Sequence, residues 1–232
     1  KELQTLELGN GLDGLLAAKS SNLYGVLNGV DYGEWNPETD GLIPANYSGT
    51  DMSGKAKCKM ALGKKFGLKL KTSVPIVGMI SRLAEQKGFD ILVEAIPEIM
   101  KLDIGLVILG SGEIRHQDAV LDAAKSYPGR ISVKIAFDNA LAHLVTAGSD
   151  IFLMPSRYEP CGLNQMFALW YGTVPVVRAT GGLEDTVRDI ADSNPTGFKF
   201  NAYSGAALVE KLKDALTLYK DNAAWARVQK NG

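Results

Sequence analysis

From Pro75 onward, short β-branched runs alternate with amphipathic stretches. This alternation constrains the fold more than any other feature, because strands interleaved with helices pair in parallel through helical crossovers. Strands are expected over 74–80, 105–109, 131–136, 150–154 and 174–177. Helices are expected over 88–100, 115–126, 139–147, 162–171, 183–191 and 204–220, the last carrying Ala207, Leu208, Leu212, Ala215, Leu216 and Tyr219 on one stripe. The expected class is α/β, a doubly wound Rossmann-like parallel sheet whose ligands gather outside the carboxyl ends of the strands. Residues 1–40 read as a lead-in or hinge segment, with turn signals at Asn28-Gly29-Val30-Asp31 and Trp35-Asn36-Pro37. Residues 41–232 read as the Rossmann-like domain, preceded in its first part by a lysine-rich helix after Ser53.

The chain has 232 residues, 46% of them hydrophobic, which is ample for one buried core. Its formal net charge of -1 provides no overall basic field for nucleic acid or an anionic membrane, so neither is an expected partner. No apolar run approaches the roughly 18 residues of a membrane span. The chain begins at Lys1 rather than Met, which reads as a processed chain or an excised fragment whose targeting signal, if any, would be missing from it. Cys58 and Cys161 form neither a metal pattern nor a disulfide framework, which fits a reducing compartment. Between Asp51 and Glu85 lie seven lysines, one arginine and no acid. That patch is either a solvated helix face or a binding surface.

Three loops at the expected carboxyl edge carry the chemistry. In Tyr158-Glu159-Pro160-Cys161-Gly162-Leu163-Asn164-Gln165, a carboxylate stands three residues before a Gly-Leu step at a helix start. Unpaired N–H groups and the helix dipole suit that place to an anion, although Glu159 also reads as a simple dipole-complementing acid. After the first strand, Ser81-Arg82-Leu83-Ala84-Glu85-Gln86-Lys87-Gly88 puts two cations five residues apart. A guanidinium fork and a compact ammonium together suit a diphosphate, while a salt-bridged surface loop is the plainer alternative. The third loop, Ala179-Thr180-Gly181-Gly182-Leu183, pairs two glycines before a helix. Leu109-Gly110-Ser111-Gly112-Glu113 tempts a dinucleotide-binding reading, but Arg115 stands where the third glycine belongs. Phe137, just past a strand, is either a base-stacking ring or a core aromatic. His143 reads as a packed or surface histidine, with nothing adjacent to suggest a triad.

Together these residues resemble the bacterial-type glycogen synthases and plant starch synthases, retaining glucosyltransferases of two-domain GT-B architecture. The resemblance runs through Gly11-Leu12-Asp13-Gly14-Leu15-Leu16, Leu27-Asn28-Gly29-Val30-Asp31, Trp35-Asn36-Pro37, Ser81-Arg82-Leu83, Gln86-Lys87-Gly88, Pro155-Ser156-Arg157-Tyr158-Glu159-Pro160-Cys161-Gly162-Leu163 and Thr180-Gly181-Gly182-Leu183. It implies the C-terminal half of a GT-B enzyme, a nucleotide-sugar donor, usually ADP-glucose, and glucosyl transfer to the non-reducing end of an α-1,4-glucan acceptor with retention. Arg82 and Lys87 would hold the diphosphate and stabilise its departing charge, and Glu159 would contact the donor glucose. Gly162, Leu163 and Asn164 would bind the same phosphates, with Cys161 beside them. Phe137 would take the base-stacking place, and Gly181 and Gly182 would border the donor pocket. With arginine, lysine and helix dipoles supplying charge, no metal or cofactor is implied. The implied compartment is a plastid or a bacterial cytoplasm.

The chain departs from the wider group of retaining transferases at Phe167, where a second glutamate would stand. The Lys-x-Gly-Gly-Leu loop of the family's N-terminal domain appears nowhere in it, so that domain would be the partner completing the site. A non-catalytic nucleotide or glucan binding module, and a sucrose- or trehalose-forming transferase, stand as alternatives.

Overall fold

The computed structural model describes residues 2–6, 9–26 and 28–232. Leu27, part of the lead-in motif, lies outside them. The lead-in holds a short helix, α1 (Asp13–Ala18), and the lysine-rich segment forms α2 (Ser53–Lys65). The strands are β1 (Ile76–Ile80), β2 (Gly105–Gly110), β3 (Ile131–Ile135), β4 (Ile151–Met154), β5 (Val174–Arg178) and β6 (Phe198–Phe200). They form one parallel sheet in the order β3-β2-β1-β4-β5-β6. Most are too apolar to tolerate water on either face, and every residue of β2 and β4 is buried, so helices must cover both sides.

The intervening helices are α3 (Phe89–Ile99), α4 (Ile114–Ser126), α5 (Asn139–Gly148), α6 (Asn164–Trp170), α7 (Gly181–Thr186), α8 (Gly205–Tyr219) and α9 (Asn222–Asn231). Phe89, Leu92 and Ile96 of α3, Val120 of α4, Leu208 and Leu212 of α8 and Trp225 of α9 pack one face of the sheet. Leu62 of α2 and Leu141, Leu144 and Val145 of α5 pack against Ile76, Val107 and Leu109 in a separate cluster. Each fully buried Leu or Phe contributes about 1.5–3 kcal/mol. The strand order reverses between β1 and β4, and the loops after these two strands therefore face each other across a crevice.

The sequence pattern gave two element boundaries differently. The helix expected over 183–191 is α7, which starts at Gly181 and stops at Thr186. Beyond it the chain loops back, the N–H groups of Thr196 and Gly197 both donating to Arg188 O, and enters β6. That edge strand has only three residues, too few to register as a periodic run. The helix expected over 162–171 begins at Asn164, because Gly162 lies in the left-handed region at φ 69°. The α9 helix was not anticipated; its Asp221 cap accepts from the N–H groups of Ala223 and Ala224.

The lysine patch divides. Lys57, Lys64, Lys65, Lys69 and Lys71 are exposed, as on a solvated face. Lys55 is buried, and its Nζ donates to Ala147 O (3.0 Å), Tyr171 O (3.1 Å) and Thr173 Oγ1 (2.6 Å). It thereby satisfies carbonyls at the ends of α5 and α6 that have no helical partner. Burial pushes the Lys55 amine down to about 7 from 10.5. Between those values the unfolded chain holds a proton that the folded amine has released, so stability rises with pH across the window. Urea denaturation should show the stability difference between the parent and Lys55→Met growing by about 2 kcal/mol from pH 7 to pH 9. A difference constant with pH would refute this.

Candidate functional site

The loop leaving β1 is shaped by backbone bonds to its neighbour: Ser81 N–H donates to Leu109 O and Leu83 N–H to Ser111 O. It closes in a short turn, Glu85–Lys87, from which Lys87 crosses to the loop after β4. There Lys87 Nζ meets Glu159 Oε2 at 2.6 Å, and Ser156 Oγ donates to the same oxygen at 3.1 Å. Glu159 is only 5% exposed, so its charge depends on these partners. Gln86 bridges the two loops. It accepts from Arg82 Nη2 (3.1 Å), donates Nε2–H to Tyr158 O (3.2 Å), and its backbone carbonyl accepts from Arg157 N–H (2.9 Å). Arg82 itself is exposed.

The Cys161-Gly162 turn is held from beneath. Gln165 is fully buried, and its Nε2 donates to Cys161 O (3.0 Å), Gly162 O (2.9 Å) and Thr186 Oγ1 (3.0 Å). A Cβ at position 162 would lie 2.4 Å from Gln165 Oε1, and φ there is 69°, so only glycine fits. With its carbonyls drawn inward, the N–H groups of Gly162, Leu163 and Asn164 find no backbone acceptor among the described residues. Asn164 Nδ2 donates to Ile80 O (2.7 Å), fixing the start of α6 to the end of β1. Cys161 Sγ accepts from Asn28 N–H at 3.4 Å. Gly181 and Gly182 make their close approach to this loop's own backbone, Gly182 N–H donating to Glu159 O at 2.9 Å.

A cavity of about 480 Å³ opens beyond the ends of β1, β2 and β3, lined by Trp35, Arg82, Ser111, Phe137, Asp138 and Asn164 among others. Phe137 is 100% exposed, so it is no core aromatic and its ring face is open to solvent. Lys87 and Glu159 do not line this cavity; they join its wall through Gln86 and Arg82. The Gly110–Gly112 turn packs against the backbone of Ser81 and Leu83 rather than opening a phosphate loop. His143 is a packed residue, its Nδ1 2.8 Å from Asp40 Oδ2.

Chemically, the site offers two cations, unpaired N–H groups, an exposed ring and a buried carboxylate at one sheet edge, which suits a nucleoside bearing phosphates. Four contributors went unassigned from sequence. Gln86, Ser156 and Gln165 lay inside the motifs without a role, and Trp35 carried a turn signal and a place in the family resemblance but no role, since its ring reaches the cavity through tertiary packing. Among the described residues no group of three or more His, Cys, Asp or Glu is placed to hold a metal ion. No described helix is long and apolar enough to cross a membrane.

Residues 63–231 match the family described as glycosyl transferases group 1. The chain is 49% identical over 233 residues to the glycogen synthase of Koribacter versatilis (strain Ellin345), covering 100% of this chain and 48% of that protein. It is 50% identical over 232 residues to the glycogen synthase of Myxococcus xanthus (strain DK1622), again covering 100% of this chain and 48% of the relative. It thus spans about half the length of the curated relatives it matches. Among solved structures, the catalytic domain of starch synthase IV from Arabidopsis thaliana, bound to ADP and acarbose, superposes with a TM-score of 0.93 at 35% identity. The match covers 99% of this chain and 49% of that one. The C-terminal domain of a glycosyl transferase group 1 family protein from Francisella tularensis, at 17% identity and a TM-score of 0.63, shares the fold; the match covers 88% of this chain and 94% of that domain.

Proposed function

Because the chain belongs to the glycosyl transferases group 1 family, we propose that it is the donor-binding half of a glycogen synthase-type glucosyltransferase. The donor is ADP-glucose and the acceptor the non-reducing end of an α-1,4-glucan. The observation that carries this reading is the junction of Lys87, Glu159 and the Gln86 bridge with a cavity bearing Arg82 and the exposed Phe137. The relatives named glycogen synthase and the neighbour bound to ADP and acarbose support it.

In this reading Phe137 stacks on the base, while Arg82, Lys87, Asn164 and the N–H groups of Gly162 and Leu163 hold the diphosphate. As the bond from the glucose anomeric carbon to the phosphate oxygen breaks, its electron pair leaves with ADP. These cations and donors stabilise that charge, so the proposal involves no metal. The acceptor's 4-hydroxyl oxygen bonds to the same carbon, and its proton passes to the departing diphosphate oxygen of ADP. In this reading Glu159, fixed by Lys87 and Ser156, accepts hydrogen bonds from the donor sugar's hydroxyls, and Cys161, Gly181 and Gly182 shape the wall around it. The second domain of the longer protein supplies the acceptor side.

Calorimetry should show the chain binding ADP, while only the longer protein transfers glucose from ADP-glucose to glycogen. Glucose transfer by the chain alone at the full enzyme's rate would sink the half-enzyme reading, and a preference for UDP-glucose in the longer protein would sink the donor assignment.

A further inference from the structure

Trp35 was assigned no chemical role from the sequence, yet its ring is stacked against two other rings. It is stacked on one side against His143 of α5, with centroids 3.7 Å apart and planes 16° apart. It is also stacked against Phe167 of α6, at 4.0 Å and 2°. The polypeptide around it is anchored by a buried carboxylate: Asp40 Oδ2 accepts from Tyr171 Oη–H at 2.6 Å and lies 2.8 Å from His143 Nδ1. Tyr47 Oη–H donates to Tyr171 O at 2.9 Å, pinning the far end of the same segment.

The two helices held apart by this ring are the ones that wall the cavity. Asn139 and Ala142 of α5, and Asn164 of α6, line it together with Trp35, and Phe137 enters it just before α5 begins. A ring filling the gap between α5 and α6 therefore sets the distance between Phe137 and Asn164. Packed interiors transmit such spacing because few voids exist to absorb a change.

We infer that Trp35 is a positioning residue for the nucleotide cavity, a spacer that fixes the separation of its two walls; this rests on the reading that the cavity takes the nucleoside of ADP. The segment preceding the Rossmann-like sheet is thereby part of the binding site. Trp35 acts through α5 and α6 and takes no part in bond making.

The test is ADP binding by the parent chain and two variants, followed by calorimetry and by tryptophan emission. Trp35→Ala should weaken ADP about tenfold or more, since a wall displaced by about 1 Å loses this much. Trp35→Phe keeps a flat ring between His143 and Phe167 and should stay within about threefold of the parent. ADP should also shift the tryptophan emission of the parent, and Trp35→Phe should abolish that shift while still binding ADP. A merely structural tryptophan would lower stability without producing this pairing of affinity and emission. Parent-like ADP affinity in Trp35→Ala, or an emission shift that survives in Trp35→Phe, overturns the inference alone. Should Trp35→Ala fail to fold, the emission of Trp35→Phe decides. A parent chain that binds no ADP overturns the donor-site reading and this inference with it.

Discussion

Replacing Lys87 with methionine should lower kcat of the longer enzyme about 10²–10³-fold, the scale on which losing one preorganised donor to a developing anion is felt. Two effects combine in that substitution. Lys87 neutralises Glu159, which is buried and, among the described residues, keeps Ser156 alone as a side-chain partner once the ammonium is gone. An uncompensated buried carboxylate costs about 3–5 kcal/mol, so the single variant should also unfold more readily. The double variant Lys87→Met with Glu159→Gln removes the stranded charge and should recover most of the lost stability, read by urea denaturation. Its activity should remain as low as that of the single variant. Recovery of kcat together with stability would mean that the pair only supports the fold, and would remove Lys87 from the phosphate site.

Gly182→Ala should be nearly as damaging, through geometry alone. The added methyl would stand 2.0 Å from Cys161 O and 2.5 Å from its carbonyl carbon, and backbone cannot swing aside as a side chain can. Either α7 withdraws, breaking the bond from Gly182 N–H to Glu159 O, or the loop carrying Glu159, Cys161 and Gly162 moves into the site. Overpacking of this kind costs about 1–3 kcal/mol, and more where backbone must shift. Displacement of the loop should weaken ADP at least about tenfold in calorimetry on the variant. Unchanged affinity would show that the loop is not part of the donor site.

Much of this architecture was legible because it rests on local patterns. The five apolar runs and most of the helices between them follow from periodicity, and the parallel order of the sheet from their alternation. The loops bearing Arg82, Lys87 and Glu159 were correctly placed at the strands' carboxyl ends, since that follows from topology. The direct Lys87–Glu159 contact was not legible, because 72 residues separate the pair and loop geometry decides where each side chain ends. Gln165 shows the same limit: nothing in its sequence neighbourhood signals a side chain turned under the loop toward three acceptors. Lys55 inverted its expectation, since helix periodicity cannot say which lysine of a basic helix lies over the buried carbonyl ends of two other helices.

The sequence by itself determined the α/β class, the carboxyl edge as the candidate site, and the residue types available there, because strand and helix periodicity and loop chemistry are encoded within short windows. Tertiary structure alone decided which of those residues touch: Lys87 on Glu159, Gln86 between Arg82 and Tyr158, and Trp35 between two helices that wall the cavity. The physical reason is range. Hydrophobic patterning acts over one element at a time, whereas a buried charge pair or a stacked ring is fixed by the packing of elements that are distant in the chain.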